Sequence, residues 1–318
     1  MNYILFTVNG TIMNVTATQQ KTLQVVPAKK IDDAIFELRN ETERKAYVEY
    51  ESKRYNENDR NRAQKARNCV YRGSQFEGNT DVLVINSDAD IHITVNNMNP
   101  EETSNIYIRY INAPDFFKAA QQFNKRVNYN ISGLCRNCPE GNMVRFGCKS
   151  GSGMHRFFLF SRTRKNINGI NQFHRIMNIH VKKITQRLFP GVYQEITSWL
   201  KFLGEYVPEF LGGEHGFCSQ MIVSNNLGCE AHVDQDLADR CFAIWTVGEG
   251  TSEDPQGSFF ILPYLTCEYD GSQYNGIAIK LRQGCAIEWN GRHIFHASSA
   301  PTNPKDVING NWFGISER

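Results

Sequence analysis

Strand-like alternation of apolar and polar residues opens the chain and flanks Asn9-Gly10, a dipeptide whose residues both tolerate the positive φ of a hairpin turn. Residues 31–70 switch to a charged pattern with Ala and Glu that predicts a helix. Only Ile31, Ile35 and Leu38 keep apolar helical spacing there, so the latter half is expected to project into solvent or meet a partner. Short β runs follow at Asp81–Ser87, Ile91–Val95 and Asn105–Ile111. Beyond the Ala113-Pro114 break, Phe116, Ala120 and Phe123 fall at i, i+4 and i+7 and predict an amphipathic helix. A longer helical stripe carries Phe173, Met177, Ile184 and Leu188 and stops at Pro190. His180 lies on that stripe with no acidic neighbour on its face and reads as a packed core histidine. Ile196, Trp199 and Leu203 line a second helix, capped at Gly204.

From Phe217 the period shortens to two. The runs Phe217–Ser224, Cys241–Val247, Ser258–Leu262, Ile277–Leu281, Ala286–Trp289 and Trp312–Ser316 are separated by Gly, Asn, Asp and Pro. Strands at this spacing predict a sandwich or barrel with the preceding helices packed outside, an α+β chain. Its expected division is an N-terminal α+β region at 1–130 and a second unit at 131–318, the latter with a basic, Cys-containing segment at 135–190 and a β core at about 217–316.

Composition narrows the class. With 41% hydrophobic and 21% charged residues among 318, the chain can bury a sizeable core, which excludes disorder. No apolar run approaches the roughly 20 residues that span a bilayer, and the start lacks the basic region and cleavage site of a signal peptide. Nine cysteines without dense spacing fit a reducing compartment, so a soluble intracellular protein, monomeric and without a membrane partner, is expected. Net charge is only +2, but residues 141–190 hold 10 Lys and Arg against no acid, whereas 191–318 hold 7 against 16. The basic residues of this belt include Arg145, Lys149, Arg156, Arg162, Arg164, Lys165, Arg175, Lys182, Lys183 and Arg187, interleaved with Phe157, Phe158 and Phe160. That mixture suits phosphate contacts beside stacking surfaces, and equally a solvated face. Cys135, Cys138, Cys148 and His155 have spacings that close a Cys₃His zinc tetrahedron, or leave unbound thiols in a turn-rich loop.

The most informative string is Glu230-Ala231-His232-Val233-Asp234-Gln235-Asp236, where one β run passes into the next. His232 and Asp234, at i and i+2, share a side if the strand persists. A two-histidine, one-carboxylate triad takes its second His from a distant strand and leaves coordination positions open for a non-heme iron. His293 and His296 both follow the strand–Gly284–strand run that ends at Trp289.

The span from about Phe217 to Ser316 resembles the double-stranded β-helix of the Fe(II)-dependent dioxygenases. Within them it is most similar to the TET/JBP-like nucleic-acid oxygenases. His232-Val233-Asp234, Phe242–Val247, the Gly257–Pro263 run GSFFILP, and Gly284 followed by His296 carry the resemblance. They cover about a third of the chain, and residues 1–130 resemble no family. The resemblance implies iron on His232, Asp234 and His296, with His296 preferred over His293 because small residues and Pro follow it. It implies action on 5-methylcytosine in DNA, in the nucleus, with Arg156, Arg162, Arg164 and Lys165 on phosphates. It also implies an Arg or Lys on the last strand to hold 2-oxoglutarate, and here Asn311 or Trp312 stands in that place, leaving Lys305 as the substitute. Without a fixed cation, ascorbate, used by an algal branch, is the other co-substrate expected, with Asp236, Asp239 and Asn311 as its polar partners. Hydroxylation of the methyl group is implied with 2-oxoglutarate, and transfer of a co-substrate fragment with ascorbate. Rival readings are a protein or small-molecule hydroxylase on the same barrel and a non-catalytic, zinc-stapled nucleic-acid-binding protein.

Overall fold

The computed structural model describes residues 12–19, 23–24, 37–38, 81–86, 90–96, 103–127, 129, 140–151, 154–159, 161–202, 217–218, 220–234, 238–291 and 293–315. Its strands are β1 (Ile12–Gln19), β2 (Leu23–Gln24), β3 (Glu37–Leu38), β4 (Leu83–Ile85), β5 (Asp90–Asn96), β6 (Thr103–Tyr110), β7 (Glu140–Gly151), β8 (Met154–Leu159), β9 (Gln220–His232), β10 (Arg240–Val247), β11 (Phe259–Tyr269), β12 (Ser272–Lys280), β13 (Cys285–Asn290), β14 (His296–Ser299) and β15 (Ile308–Gly314). The described helices are α1 (Pro114–Arg126), α2 (Ser161–Leu188) and α3 (Pro190–Phe202).

The pairings from β9 onward build two four-stranded ladders from one winding chain. In the first, the opening arm of β9 pairs with β15, β15 with β10, and β10 with β13. The closing arm of β9 pairs with β14, β14 with β11, and β11 with β12, giving the second. Apart from the β11–β12 hairpin, consecutive strands alternate between the ladders, which is the winding of a double-stranded β-helix. The chain changes ladder within β9 at Asn226, whose φ of 50° turns the strand back. Its amide fixes this corner, donating to Asp306 O at 2.8 Å and accepting from Ile308 N–H at 2.8 Å.

Two-residue periodicity sorts side chains between the faces. Phe242 and Ile244 of β10 join a core formed with the helices, while Cys241, Ala243 and Trp245 join the interior between the ladders. With both faces covered, the strand reads as an unbroken apolar run. On α1, the expected stripe of Phe116, Ala120 and Phe123 is fully buried, against Phe313 and Phe146. Met177, Val181, Ile184 and Leu188 bury the inner face of α2. Pro190 ends α2 as expected and also opens α3, where its missing N–H is no loss.

Strands from the first 110 residues extend the same sheet. β6 pairs with β13, β5 with β6, and β1 with both β5 and the closing part of β11 beyond its pairing with β14, a seam that links the edge of the first ladder to the second. Residues 31–70 lie outside the described residues except for Glu37–Leu38, which are strand and not helix. The segment from Glu140 to Gly151, read as turn-rich from its glycines, is the long strand β7. Gly141, at φ +72°, sits in a bulge where an added Cβ would strike the carbonyls of Asn225 and Asn226.

Candidate metal centre

His232 is the last residue of β9 and His296 the first of β14, and they are register partners across the two strands. Their rings lie 4.5 Å apart, centroid to centroid. Asp234 follows two residues beyond β9, where its N–H donates to Gly291 O at 2.7 Å and ties it to the turn after β13. Its Oδ1 lies 3.7 Å from His232 Nε2 and its Oδ2 3.4 Å from His296 Nε2. One donor atom from each of the three residues falls within 4.8 Å of the others, the one such group among the described residues.

The proton positions suit this group to holding a metal ion. His296 Nδ1 lies 3.0 Å from Ile294 O, which as an acceptor holds the ring proton there and leaves Nε2 a bare lone pair. Burial lowers the His296 pKa; Asp234 opposes that shift and His232 adds to it. A neutral Nε2 facing a carboxylate oxygen at 3.4 Å is acceptor against acceptor, an arrangement that a cation relieves. Two imidazole nitrogens and one carboxylate suit a divalent first-row metal with open positions. His232 and Asp234 are each 26% exposed in their side chains and His296 only 6%, so access is from the His232 side. Phe260 stacks on the His296 ring at 5.5 Å and Trp289 meets it edge-on at 5.2 Å, giving that ligand an apolar wall. Nothing in the spacing of Phe260, Trp289 or Ile294 marked them beforehand; strand pairing brings them here.

His293 is exposed in the turn before β14, and its N–H donates to Asn290 O. It is not in the donor group. Three residues proposed for the co-substrate are placed elsewhere. Lys305 is exposed in the loop before β15, next to the pairing of Ile308 with Val247, whereas Arg240, at the other end of β10, adjoins the triad. Seven residues of strand separate those ends by about 23 Å, beyond any lysine's reach. Asn311 is fully buried on the helix side of β15, where its amide donates to Ile244 O at 3.1 Å; the alternation of the strand turns Trp312, not Asn311, inward. The Asp239 N–H donates to Glu195 Oε1 of α3 at 2.6 Å, tying that residue to the outside of the sheet. Asp236 lies outside the described residues, as do Cys135 and Cys138 of the zinc set; Cys148 lies in β7 and His155 in β8.

Arg156 lies in β8, and Arg162, Arg164 and Lys165 in the first turns of α2. The β7–β8 hairpin overhangs β9 at the triad end, since Gly147 pairs with Gln220 and Cys148 to Gly151 continue with β8 alone. Arg175, Lys183 and Arg187 are exposed along α2. No described helix is long and apolar enough to cross a membrane.

No protein-family model and no curated protein matches the chain. Among solved structures it is similar to NgTET1 in complex with 5mC DNA, at 8% identity and TM-score 0.47 over 80% of this chain and 87% of that one. A Pseudomonas putida prolyl-4-hydroxylase aligns at 11% identity and TM-score 0.29 over 67% and 92%. JOX2 in complex with 2OG, Fe and JA aligns at 10% identity and TM-score 0.31 over 77% and 71%. These are distant likenesses of fold, and the β-helix assignment rests on the strand pairings.

Proposed function

We propose that this protein is an Fe(II)-dependent oxygenase that modifies the methyl group of 5-methylcytosine in DNA. The observation that carries the reading is the convergence of His232, Asp234 and His296 at one mouth of the β-helix. Fe(II) bound there supplies activation of dioxygen. The chain's own part is to hold the ion with three neutralising or neutral donors, leave its remaining positions open toward the His232 side, and keep water from His296 with Phe260 and Trp289.

A base inside a duplex cannot reach this mouth, so the nucleotide must be flipped out, at a cost of about a few kcal/mol. Support for DNA comes from the basic belt, whose β7–β8 hairpin, with Lys149 and Arg156, stands at the triad end. Replacing Arg162, Arg164 and Lys165 together is expected to flatten the salt dependence of DNA binding by a slope of about 0.9 per lost phosphate contact. An unchanged slope makes the belt a solvated face.

For the co-substrate, the interior favours ascorbate over 2-oxoglutarate. The positions of β15 that turn inward include Ile308, Gly310 and Trp312, none a cation, and the Trp312 ring lies over Gly310, 2.5 Å from where a Cβ would stand. Trp245 meets that ring edge-on at 5.6 Å. A dianion here would find no cation on β15, and a buried charge left unpaired costs on the order of several kcal/mol. The deciding experiment incubates methylated DNA with the protein, Fe(II) and either ascorbate, 2-oxoglutarate or neither, and reads the nucleosides by mass spectrometry. A modified 5-methylcytosine with ascorbate alone is the expected result. Turnover with 2-oxoglutarate alone overturns the co-substrate, and no nucleoside change with either overturns the DNA substrate.

A further inference from the structure

One group outside the triad touches the carboxylate of Asp234, and a glycine leaves room for both. The Cys241 thiol donates to Asp234 Oδ2 at 3.5 Å from the second residue of β10. Gly291 faces both: a Cβ added there would fall on Cys241 Sγ and stand 2.6 Å from Asp234 Oδ2. Cys241 is itself buried in the interior core, 5% exposed. It is no fourth ligand, because the donor atoms that all lie within 4.8 Å of one another stop at His232, Asp234 and His296.

The need for such contacts follows from where Asp234 sits. Its main chain is fixed by the 2.7 Å bond to Gly291 O, but it lies beyond the end of β9, and the terminal torsion of an aspartate is broad and roughly two-fold. Left to itself, the carboxylate would turn freely and spend rotational freedom each time an ion bound. A thiol is a weak donor, so it orients Oδ2 while Oδ1 keeps its lone pairs.

We propose that Cys241 is a positioning residue for the metal, fixing the rotation of the Asp234 carboxylate, and that Gly291 is glycine to leave room for thiol and carboxylate together. This rests on the metal reading of the triad. The test uses Co(II) titration of the metal-stripped full chain, followed by visible absorption and chelator competition, beside thermal melting of the metal-free protein. Cys241→Ala is expected to weaken Co(II) binding by about tenfold to a hundredfold with little change in metal-free melting, and Cys241→Ser, which keeps a donor, to restore it to within about threefold. Gly291→Ala is expected to weaken binding as well, by displacing the carboxylate. Cobalt binding by Cys241→Ala as tight as wild type, or no better in the Ser variant than in the Ala variant, overturns the proposal. If Cys241→Ala does not fold, Gly291→Ala decides, and unchanged affinity there overturns it. His296→Ala separates the two readings: if it binds Co(II) as wild type does, the metal reading itself falls.

Discussion

The β-helix has polar residues at both ends, and they are arranged in opposite ways. Away from the triad, Lys280 Nζ meets Asp254 Oδ2 at 3.0 Å, the Arg282 guanidinium lies 4.4 Å over the Tyr110 ring, and the Thr302 N–H donates to Gln256 O at 2.9 Å. The Lys280 and Thr302 donors have acceptors and the Arg282 guanidinium has a ring, so these groups close the turns. At the triad, three Lewis bases face one another, and the Nδ1 proton of His296 is directed to Ile294 O. Charge density alone does not separate a site from a rim. Lone pairs of three side chains aimed at a common point do.

The sharpest way to break this contrast is to remove a base at one end and a cation at the other. His296→Ala is expected to abolish turnover and weaken metal binding by at least about a hundredfold, since it removes a ligand outright. Lys305→Ala should leave both unchanged; a Lys305 variant that loses activity would move the co-substrate site to the far end.

Two glycines extend the comparison. Gly257, at the far end, has φ +81°, and a Cβ there would strike Thr302 Oγ1 and stand 2.8 Å from Thr302 N. Gly257→Ala should therefore cost about 2–3 kcal/mol of stability in chemical denaturation with metal affinity intact. Gly291→Ala, whose Cβ would fall on Cys241 Sγ and beside Asp234 Oδ2, should cost metal affinity as well as stability, and intact affinity there would erase the distinction between the ends. A smaller effect is expected from Asp254→Ala, which strands a nearly buried ammonium. The carboxylate is 43% exposed, so solvent screens much of the pair, and about 1–2 kcal/mol is expected in denaturation, again without loss of metal.

The smallest effect belongs to His180 on α2. Its Nδ1 is buried without a partner, and burial lowers its pKa from 6.5, opposed by Asp115 and assisted by Lys183. A histidine whose folded pKa is depressed binds fewer protons folded than unfolded. Stability therefore rises with pH through the window just below 6.5 and is lost as pH falls through it. His180→Asn should flatten that part of the stability profile and leave metal binding alone, whereas an unchanged profile would show the imidazole to be solvated.

The sequence carried the pattern of this fold further than its register. Apolar alternation located most strands of the β-helix because each buries at least one face. It missed β14, whose four residues, His296–Ser299, are mostly small and polar. It ended β9 at Ser224 because Asn225-Asn226-Leu227-Gly228 looks like a turn; the chain does bend there, yet pairing resumes and carries His232 to its partner. The His232–Asp234 spacing was legible because it is local. The misplaced Asn311 and Lys305 show the opposite case, since a one-residue change of parity or one strand length decides whether a side chain reaches a site, and composition is silent on both.

The seam made by β1 bears on how the chain comes to be folded at all. Ala17 pairs with Cys267, nearly the whole length of the described chain away. During synthesis β1, β5 and β6 leave the ribosome long before β11 and β13 exist to receive them, with Ile91, Ile93, Ile106 and Ile108 awaiting burial. Contacts so distant in sequence make for slow folding and a prolonged exposure of apolar strand edges, so nascent chains of this protein should depend on chaperones that shield strands until the last third has emerged.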